Sequence, residues 1–463
     1  MRSSPLFSAV LFLVTCLSCS ALAAQSKLRL PAVLGDHMVL QQGKPINIWG
    51  WAAVGEQVKV TFAGASASAV AGAKGRWSLQ LPAQKASRKP RKLTVEAASK
   101  IELRDVLVGE VWLCSGQSNM AWSMSRTTHQ KEEIKKAVYP RIRLLAFGGK
   151  KILWTACTAA SVKGFSGVGY HFGKRLHQAL KVPIGLIRSA VGGTRIEPWT
   201  PKVGAARFDS LAQQAAKGDG NLFRRLIAPL APMSMRGIIW YQGESNVIQG
   251  DTGIYADRQA ALVAGWRDVF EQDDLSFYYV QLAPFTYGKN YAKSKQGLTP
   301  ESLPRFWEAQ TKCMKTIPNS GMVVITDITG NVRDIHPGNK RDVGGRLARW
   351  ALAKNYGRNK VTYSGPLYKS MQIAGSKVTL TFDHVAGGLR SLDKAALTEF
   401  SIAGEDRQFV SAKAKIKGDT VIVWSGEVAN PKAVRFGWRD TALPNLGNKA
   451  GLPASPFRTD IWK

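Results

Sequence analysis

Val106 to Cys114 (VLVGEVWLC) is an apolar run of strand length, and Ser115 to Met120 (SGQSNM) follows it directly. A short apolar run that ends in a glycine turn is typical of a strand buried on both faces. Such strands occur in parallel sheets that are covered by helices. The stretch therefore predicts a central parallel strand with a serine, Ser118, at the turn that follows it.

Further runs of the same kind recur along the next two hundred residues, and helical patterns separate them. The expected strands are 183–190, 237–241, 276–282 and 322–326, and the expected helices are 168–180, 255–270 and 343–352. Buried strands that alternate with helices are typical of an α/β sheet. We therefore expect a catalytic domain over 106–355, with a parallel sheet flanked by helices.

The chain on either side of this domain has a different pattern. Short alternating runs broken by glycine, such as 46–51, 58–62 and 77–81, predict an N-terminal β domain over 24–105. Alternation returns at 377–382 and 420–424, which predicts a C-terminal β region over 356–463. We expect both regions to be β-sandwich-like.

The first 23 residues have the form of a cleaved signal peptide. Arg2 precedes the largely apolar stretch Leu6 to Ala23, and Ala21-Leu22-Ala23 matches a signal-peptidase site. We expect a secreted or periplasmic protein with no membrane segment after cleavage, because no later run is long and apolar enough to cross a bilayer. A lipoprotein anchored through Cys16 or Cys19 is the alternative, although neither lies in a convincing lipobox.

The mature chain keeps Cys114, Cys157 and Cys313. Three cysteines allow at most one bridge, so the fold must depend on its core.

The charge is strongly basic, with 64 Lys and Arg against 32 Asp and Glu and a formal net charge of +32. The basic residues are spread along the whole chain, and no recognition motif gathers them, so we expect no nucleic-acid partner. Attraction to acidic glycans or to an anionic cell surface is one interpretation. The other is that the charge only maintains solubility.

Candidate catalytic groups follow the expected strands. Ser118 stands at a strand-to-loop turn, where a nucleophile would be exposed, although a serine can also simply bridge a turn. The α/β-hydrolase elbow needs glycine two residues after the serine, and Met120 stands there. Gly192-Gly193-Thr194 offers unobstructed backbone N–H groups, and Tyr241 to Asn246 (YQGESN) offers backbone and side-chain amides. Amides that converge on one point form an oxyanion hole.

A candidate base lies in Asp334-Ile335-His336-Pro337. Pro337 favours an extended backbone at His336, and residues two apart in an extended chain point the same way. Asp334 could then fix the imidazole tautomer. His171 and His177 are six apart in a helical pattern, so they do not form a metal pair. We expect neither a metal nor another cofactor.

These motifs together resemble the sialate O-acetylesterase family of the SGNH hydrolases. They are Gly116-Gln117-Ser118-Asn119-Met120, Gly192-Gly193-Thr194, Gln242-Gly243-Glu244-Ser245-Asn246 and Asp334-Ile335-His336-Pro337, with similar stretches at 34–41 and 451–460. The resemblance implies a carboxylic ester hydrolase in which Ser118 is the nucleophile and His336 the base. It also implies that Gly193 and the Asn246 side chain are oxyanion donors, together with the N–H of Ser118.

The acid that supports His336 stays open. Many SGNH hydrolases place aspartate three residues before the histidine, where this chain has Arg333. Asp334 is the favoured residue, with Glu244 or no acid at all as the alternatives.

The resemblance implies an O-acetylated carbohydrate as the substrate, and O-acetylated sialic acids in particular. Acetylated plant polysaccharide, xylan or xyloglucan, is the alternative substrate. A carbohydrate-binding relative that has lost catalysis is the alternative function.

Overall fold

The strand that carries Ser118 at its end runs over 17 residues, Lys100–Gly116, and joins two parts of the molecule. The computed structural model describes residues 27–149, 151–288 and 297–462. The expected signal peptide, 1–23, lies outside these residues. The N-terminal strands are β1 (Val39–Gln41), β2 (Ile46–Trp51), β3 (Gln57–Phe62), β4 (Ala65–Val70), β5 (Arg76–Leu81), β6 (Ser87–Glu96) and β7 (Lys100–Gly116).

The N-terminal strands confirm the β pattern that was read from alternation. Strands β4, β3, β6 and β7 pair antiparallel in that order, β1 adds to β7 in parallel, and β2 pairs with β5 as a separate two-stranded sheet. In β3 the alternate residues Val58, Val60 and Phe62 are buried. Period-two burial of this kind holds each strand in register, because a slip of one residue would expose its apolar side chains.

Strand β7 belongs to both the N-terminal sheet and the central sheet. Its first part pairs with β6, and its last part, from Glu110 to Gly116, pairs with strands of the catalytic region. The expected boundary between residues 105 and 106 therefore falls inside one continuous strand. A single apolar core extends across that boundary.

The central sheet is parallel except at one edge, as the buried runs predict. Its further strands are β8 (Tyr139–Ala146), β9 (Trp154–Cys157), β10 (Ile184–Ala190), β11 (Gly237–Tyr241), β12 (Ser276–Val280) and β13 (Ser320–Val323). The order is β13-β12-β11-β7-β10-β8-β9, and only β9 runs antiparallel to its neighbour. Strand β13 spans Ser320–Val323, so it ends three residues before the expected strand 322–326. A 3₁₀ turn begins at Thr326.

Helices cover the sheet, and the three expected ones are confirmed as α4, α8 and α10. The helices are α1 (Ser118–Ala121), α2 (Gln130–Lys135), α3 (Ala159–Val162), α4 (Gly167–Leu180), α5 (Lys202–Ala205), α6 (Ala212–Ala216), α7 (Glu244–Ile248), α8 (Tyr255–Phe270), α9 (Ser302–Thr316) and α10 (Lys340–Lys354). Helix α10 packs closely on α4 at Gly344. A Cβ at this position would lie only 2.7 Å from the backbone nitrogen of Phe172, so the close approach requires glycine. No helix in the described ranges is long and apolar enough to cross a membrane.

The C-terminal region is all β and has its own apolar core. Its strands are β14 (Leu367–Ala374), β15 (Lys377–Asp383), β16 (Leu389–Ser391), β17 (Phe400–Ala403), β18 (Val410–Ser411), β19 (Lys413–Lys417), β20 (Thr420–Trp424), β21 (Ala433–Phe436), β22 (Leu446–Asn448) and β23 (Phe457–Arg458). They form two four-stranded antiparallel sheets, β14-β15-β20-β19 and β18-β17-β21-β23, and one antiparallel pair, β16 with β22. Arg435 of β21 forms ion pairs with Asp460 and, across to the catalytic region, with Glu301.

Candidate active site

The candidate site lies where the central strand β7 ends between β10 and β11. Gly116, the last residue of β7, pairs with Ala190 on one side and with Tyr241 on the other. Its φ is +134°, and a Cβ there would lie 2.1 Å from the Tyr241 carbonyl oxygen, so only glycine fits. The chain then turns sharply into α1, which begins at Ser118. Carboxyl ends of parallel strands are where open α/β sheets bind ligands.

Ser118 and His336 meet, although 218 positions separate them in the chain. The Nε2 atom of His336 lies 2.8 Å from Oγ of Ser118, which is hydrogen-bond distance. The indole of Trp122 stacks on the imidazole, with 4.3 Å between ring centroids and 17° between planes. Trp122 was not singled out from the sequence. The pair has the geometry of a hydroxyl beside a general base.

The pKa of His336 is lowered from its ordinary value. Burial is the main cause, because it disfavours the charged imidazolium. The cations Lys340 and Arg126 lower the pKa further, while Asp334 opposes them. The imidazole is therefore held in the neutral form that can accept a proton.

Asp334 lies beside His336 without a hydrogen bond to the imidazole. Its Oδ1 atom is 3.9 Å from Nδ1 of His336 and accepts a hydrogen bond from the backbone N–H of His336 at 2.8 Å. The segment is a turn, in which the N–H of Asp334 donates to the Asn331 carbonyl. The aspartate thereby caps its own turn, and its role as the acid that orients the imidazole stays a prediction. Its side chain is 56% exposed.

The loop after β10 places two glycines next to Ser118. A Cβ on Gly192 would lie 3.4 Å from Cβ of Ser118, and Gly193 has φ +70° with open space around it. Within the described part of the chain, no acceptor takes the N–H of Ser118, Gly192 or Gly193. These backbone donors are therefore unoccupied near the nucleophile position, and the role of Gly193 as an oxyanion donor stays a prediction.

The Asn246 side chain is fully buried and occupied elsewhere. Its Nδ2 donates to Glu197 at 3.1 Å and to Asp251 at 3.0 Å, and its Oδ1 accepts from the N–H of Ile196 at 3.1 Å. Both amide hydrogens are thereby used by carboxylates. The structure corrects the expectation of an oxyanion donor here, because Asn246 instead joins α7 to the segment after Gly193.

Gln117 supplies an amide that the sequence reasoning overlooked. Its Oε1 accepts from the N–H groups of Gly243 and Ser245, both at 3.3 Å, so its amide orientation is fixed. No acceptor for its Nε2 occurs among the described residues. Its position directly before Ser118, inside the quoted motif, was the available signal.

Glu244 belongs to a buried network, and no hydrogen bond or ion pair in the described ranges joins it to His336. Its Oε1 accepts from Nδ2 of Asn119 at 2.5 Å, and Nζ of Lys340 donates to Oδ1 of Asn119 at 2.5 Å. Nδ2 of Asn119 also donates to the Ile335 carbonyl at 2.9 Å. The structure therefore corrects the alternative of Glu244 as the acid. Asn119, which follows Ser118, is thereby linked to Ile335, which precedes His336.

The electrostatics of this network follow from its burial. Asn119 and Lys340 are fully buried and Glu244 nearly so. Burial raises the pKa of Glu244 and lowers the pKa of Lys340 to about 7, because both charged forms lose hydration. The Oε2 atom of Glu244 has no hydrogen-bond partner in the described structure. Asn119, which contacts both groups, is the link that keeps them together.

The other reactive side chains of the described residues do not form a second centre. Within residues 27–149, 151–288 and 297–462, no group of three or more His, Cys, Asp or Glu is arranged to hold a metal ion. Cys114, Cys157 and Cys313 are buried free thiols. Burial raises the pKa of Cys157 and Cys313 to about 12, so these thiols stay protonated.

Comparison with known proteins agrees with this architecture. The model of the family described as "Carbohydrate esterase, sialic acid-specific acetylesterase" matches residues 108–352. The sialate O-acetylesterases of Homo sapiens and Pongo abelii are each 28% identical over 404 residues, covering 77% of this chain and 76% of the relative. The crystal structure of a carbohydrate acetylesterase from Xanthomonas citri aligns with a TM-score of 0.86 and 36% identity, covering 94% of this chain and 100% of that one.

The fold and these matches define an SGNH-like α/β carboxylic ester hydrolase. The chain belongs to the carbohydrate esterase family of sialic acid-specific acetylesterases, which confirms the resemblance found in its motifs. Membership supports the removal of O-acetyl groups from carbohydrate as its activity.

Proposed function

We propose that this protein is an exported serine esterase that removes O-acetyl groups from sialic acids. The observation that carries the serine mechanism is the 2.8 Å contact between Oγ of Ser118 and Nε2 of His336. A relative that had lost catalysis would be expected to lack one of these two groups. Both are present and in contact, which favours an active enzyme over a non-catalytic binding protein.

The reaction proceeds through an acetyl-enzyme. Oγ of Ser118 attacks the acetyl carbonyl carbon while Nε2 of His336 accepts the hydroxyl proton, and the proton then passes to the departing sugar oxygen. Water, deprotonated by the same imidazole, releases acetate and restores Ser118. The chemistry needs His336 neutral at the start, which its lowered pKa provides.

The oxyanion is stabilised mainly by backbone N–H groups. Those of Ser118 and Gly193 are the proposed donors, because neither has an acceptor among the described residues. The Nε2 atom of Gln117 is proposed as the side-chain donor in place of Asn246. Fixed donors of this kind usually make the largest single contribution to acyl transfer.

The choice of sialic acid rests on the matched family and its mammalian relatives. The family model is described as sialic acid-specific, and the human and orangutan relatives are named sialate O-acetylesterases. The net charge of +32 suits an anionic sugar. The Xanthomonas citri structure is named only a carbohydrate acetylesterase, which keeps acetylated plant polysaccharide as the second candidate substrate.

Export is proposed from the first 23 residues, and its test is independent of activity. Mass spectrometry of the protein from its native host should find a mature N-terminus near Ala24. An intact Met1, or a lipid on Cys16 or Cys19, would contradict this part of the proposal.

The mechanism is tested with the Ser118→Ala variant and an activated acetyl ester. We expect turnover to be abolished with the fold intact, because truncating a partly exposed turn serine costs little stability. A phosphonate inhibitor should label Ser118 and leave the buried Ser115 unmodified. Full activity in the variant would rule out the serine mechanism.

The substrate is tested with a matched panel of O-acetylated sialic acid, acetylated xylan and acetylated xyloglucan. The highest kcat/KM is expected on the sialic acid. A preference for a neutral polysaccharide would overturn the sialic acid part while leaving the mechanism in place.

A further inference from the structure

A second cleft, of 690 Å³, lies between the β2–β5 sheet and the catalytic-region segment 224–232. None of the residues proposed for catalysis lines it. Its lining includes three tryptophans, two arginines and a run of prolines and alanines: Trp49, Trp51, Trp77, Arg76, Arg224, Pro229 and Pro232 among them. A concave surface of aromatic rings with a few charged groups is the usual composition of a ligand site.

Strand register explains why two of the indoles line an open surface. In β2 the burial alternates, so Ile46, Ile48 and Gly50 are buried while Trp49 and Trp51 are half-buried. Trp49 pairs with Ser78 of β5, and Trp51 pairs with Arg76. Trp49 and Trp51 thus share a face with the exposed residues Arg76 and Ser78, and although Trp49 also packs against the core, both indoles remain partly accessible. Large aromatic side chains on a polar face are informative, because soluble proteins place most of them in the core.

The charge of the cleft is positive and uncompensated. Arg76 and Arg224 are exposed, and no carboxylate in the described part of the chain pairs with either. A third guanidinium, that of Arg29, stacks on Trp51 with its carbon 3.8 Å from the ring centroid. Guanidinium groups bind carboxylates through paired hydrogen bonds, whereas flat indole faces pack against the C–H surfaces of sugar rings.

We propose that this cleft binds a carboxylate-bearing oligosaccharide at a site separate from Ser118. Trp49 and the face of Trp51 that Arg29 does not cover pack against the sugar rings, and Arg76 and Arg224 pair with the carboxylates. A chain held here would raise the local concentration of further acetylated units near the enzyme. The proposal concerns binding alone, and it stands whether or not sialic acid is the preferred substrate of the catalytic site.

The test uses full-length mature protein carrying Ser118→Ala, so that hydrolysis does not enter. The probe is an oligomer of sialic acid without O-acetyl groups, and a neutral cello-oligosaccharide of equal length is the control, both measured by titration calorimetry. We expect Trp51→Ala to weaken binding of the acidic probe about tenfold or more, the scale of losing an aromatic anchor. The neutral oligomer should bind far more weakly than the acidic one.

A charge-matched pair of variants keeps the test sharp if Trp51→Ala does not fold. Arg76→Gln with Arg224→Gln removes two charges at the cleft, and Lys413→Gln with Lys415→Gln removes two exposed charges from β19. The arginine pair should weaken binding about tenfold or more, since each removes hydrogen bonds to a charged group. The lysine pair should leave it unchanged. Equal losses in both pairs, equal binding of the neutral probe, or no binding by the parent would each overturn the proposal.

In the protein with Ser118 restored, the arginine variants should keep the parent kcat on a small activated acetyl ester. That result separates the cleft from the catalytic site. Loss of this activity would place the arginines in catalysis and contradict a separate site.

Discussion

The turn that carries His336 and the buried segment that begins α7 differ in how their carboxylates are held. Asp334 is exposed, and its side chain accepts a hydrogen bond from the backbone N–H two residues further on. Glu244 is buried, and its side-chain contact is to Asn119, 125 positions away in the chain. A short-range contact thus holds the Asp334 carboxylate, and a long-range contact holds the Glu244 carboxylate.

This difference predicts which substitutions should affect activity and which should affect stability. An exposed charge is screened by water, so its removal changes little. A buried polar group that loses its partner keeps its full desolvation penalty. Substitutions in the turn should therefore change proton transfer with little effect on folding, and substitutions in the buried segment should change both.

The largest effect is expected at the base itself. His336→Ala should lower kcat on an acetyl ester by about 10⁴-fold or more, the scale for loss of a catalytic triad member. The free energy of unfolding should change little, because His336 lies in a partly exposed turn. Steady-state kinetics with a denaturant titration measure both. A loss of less than tenfold would remove His336 from catalysis.

Asn119→Ala should have the next largest effect, and on both properties. It leaves Glu244 and Lys340 without their shared partner, so the free energy of unfolding should fall by about 3 kcal/mol. Because it also detaches the Ser118 turn from the Ile335 carbonyl, kcat should fall by about a hundredfold, the scale of a 1 Å misplacement. Asn339→Ala, which removes only the N-cap of α10, is the control and should cost about 1 kcal/mol. Equal behaviour of the two variants would contradict a special role for Asn119.

The variant Asn246→Ala distinguishes a structural role of Asn246, as the partner of Glu197 and Asp251, from the expected role as an oxyanion donor. Since its amide donates to Glu197 and Asp251, its loss should lower the free energy of unfolding by about 1–3 kcal/mol. The value of kcat should fall less than tenfold at a temperature where the variant is folded. A fall of about a hundredfold or more, without loss of stability, would restore Asn246 as an oxyanion donor.

Asp334→Asn should have a small effect, because 3.9 Å separates its carboxylate from Nδ1 and water screens the pair. We expect kcat to fall by about tenfold at most. A fall of about 10⁴-fold would instead show that Asp334 hydrogen-bonds to the imidazole during the reaction.

The smallest effects are shifts in the pH profile. Since the base must be neutral, kcat/KM should rise with pH through a pKa below the usual value of about 6.5 for histidine. Asp334 raises the pKa of His336, so Asp334→Asn should move this limb to lower pH. Arg126 lowers it, so Arg126→Gln should move the limb to higher pH. Lys340, which also faces the base, is unchanged in both. Shifts of the opposite sign would contradict the assigned base.

Much of the fold could be predicted because its patterns are local. One short window of residues is enough to predict each of the strands at 106–114 and 237–241 and the helix at 255–270. The domain boundary near residue 105 is harder to predict from the sequence. Strand β7 continues through it, and a strand shared by two sheets has no composition change to mark where one sheet ends.

The candidate site divides in the same way. Ser118, Gly193 and His336 stand at strand ends or turns, and the structure brings them to one edge of the sheet. Asn119 and Lys340 carried no separate signal, because their partners lie on distant elements, and Gln117 was marked only by its position in the motif directly before Ser118. The prediction for Asn246 failed for the same reason. The sequence does not show that Glu197 and Asp251 accept both of its amide hydrogens.

The order of the amino acids specifies which residue types follow each strand, and parallel pairing places the carboxyl ends of the strands on one edge of the sheet. Which polar atoms remain free at that edge depends on the tertiary structure. Hydrogen bonds are short and directional, so a donor's availability depends on neighbours a few ångströms away, and those neighbours come from anywhere in the chain.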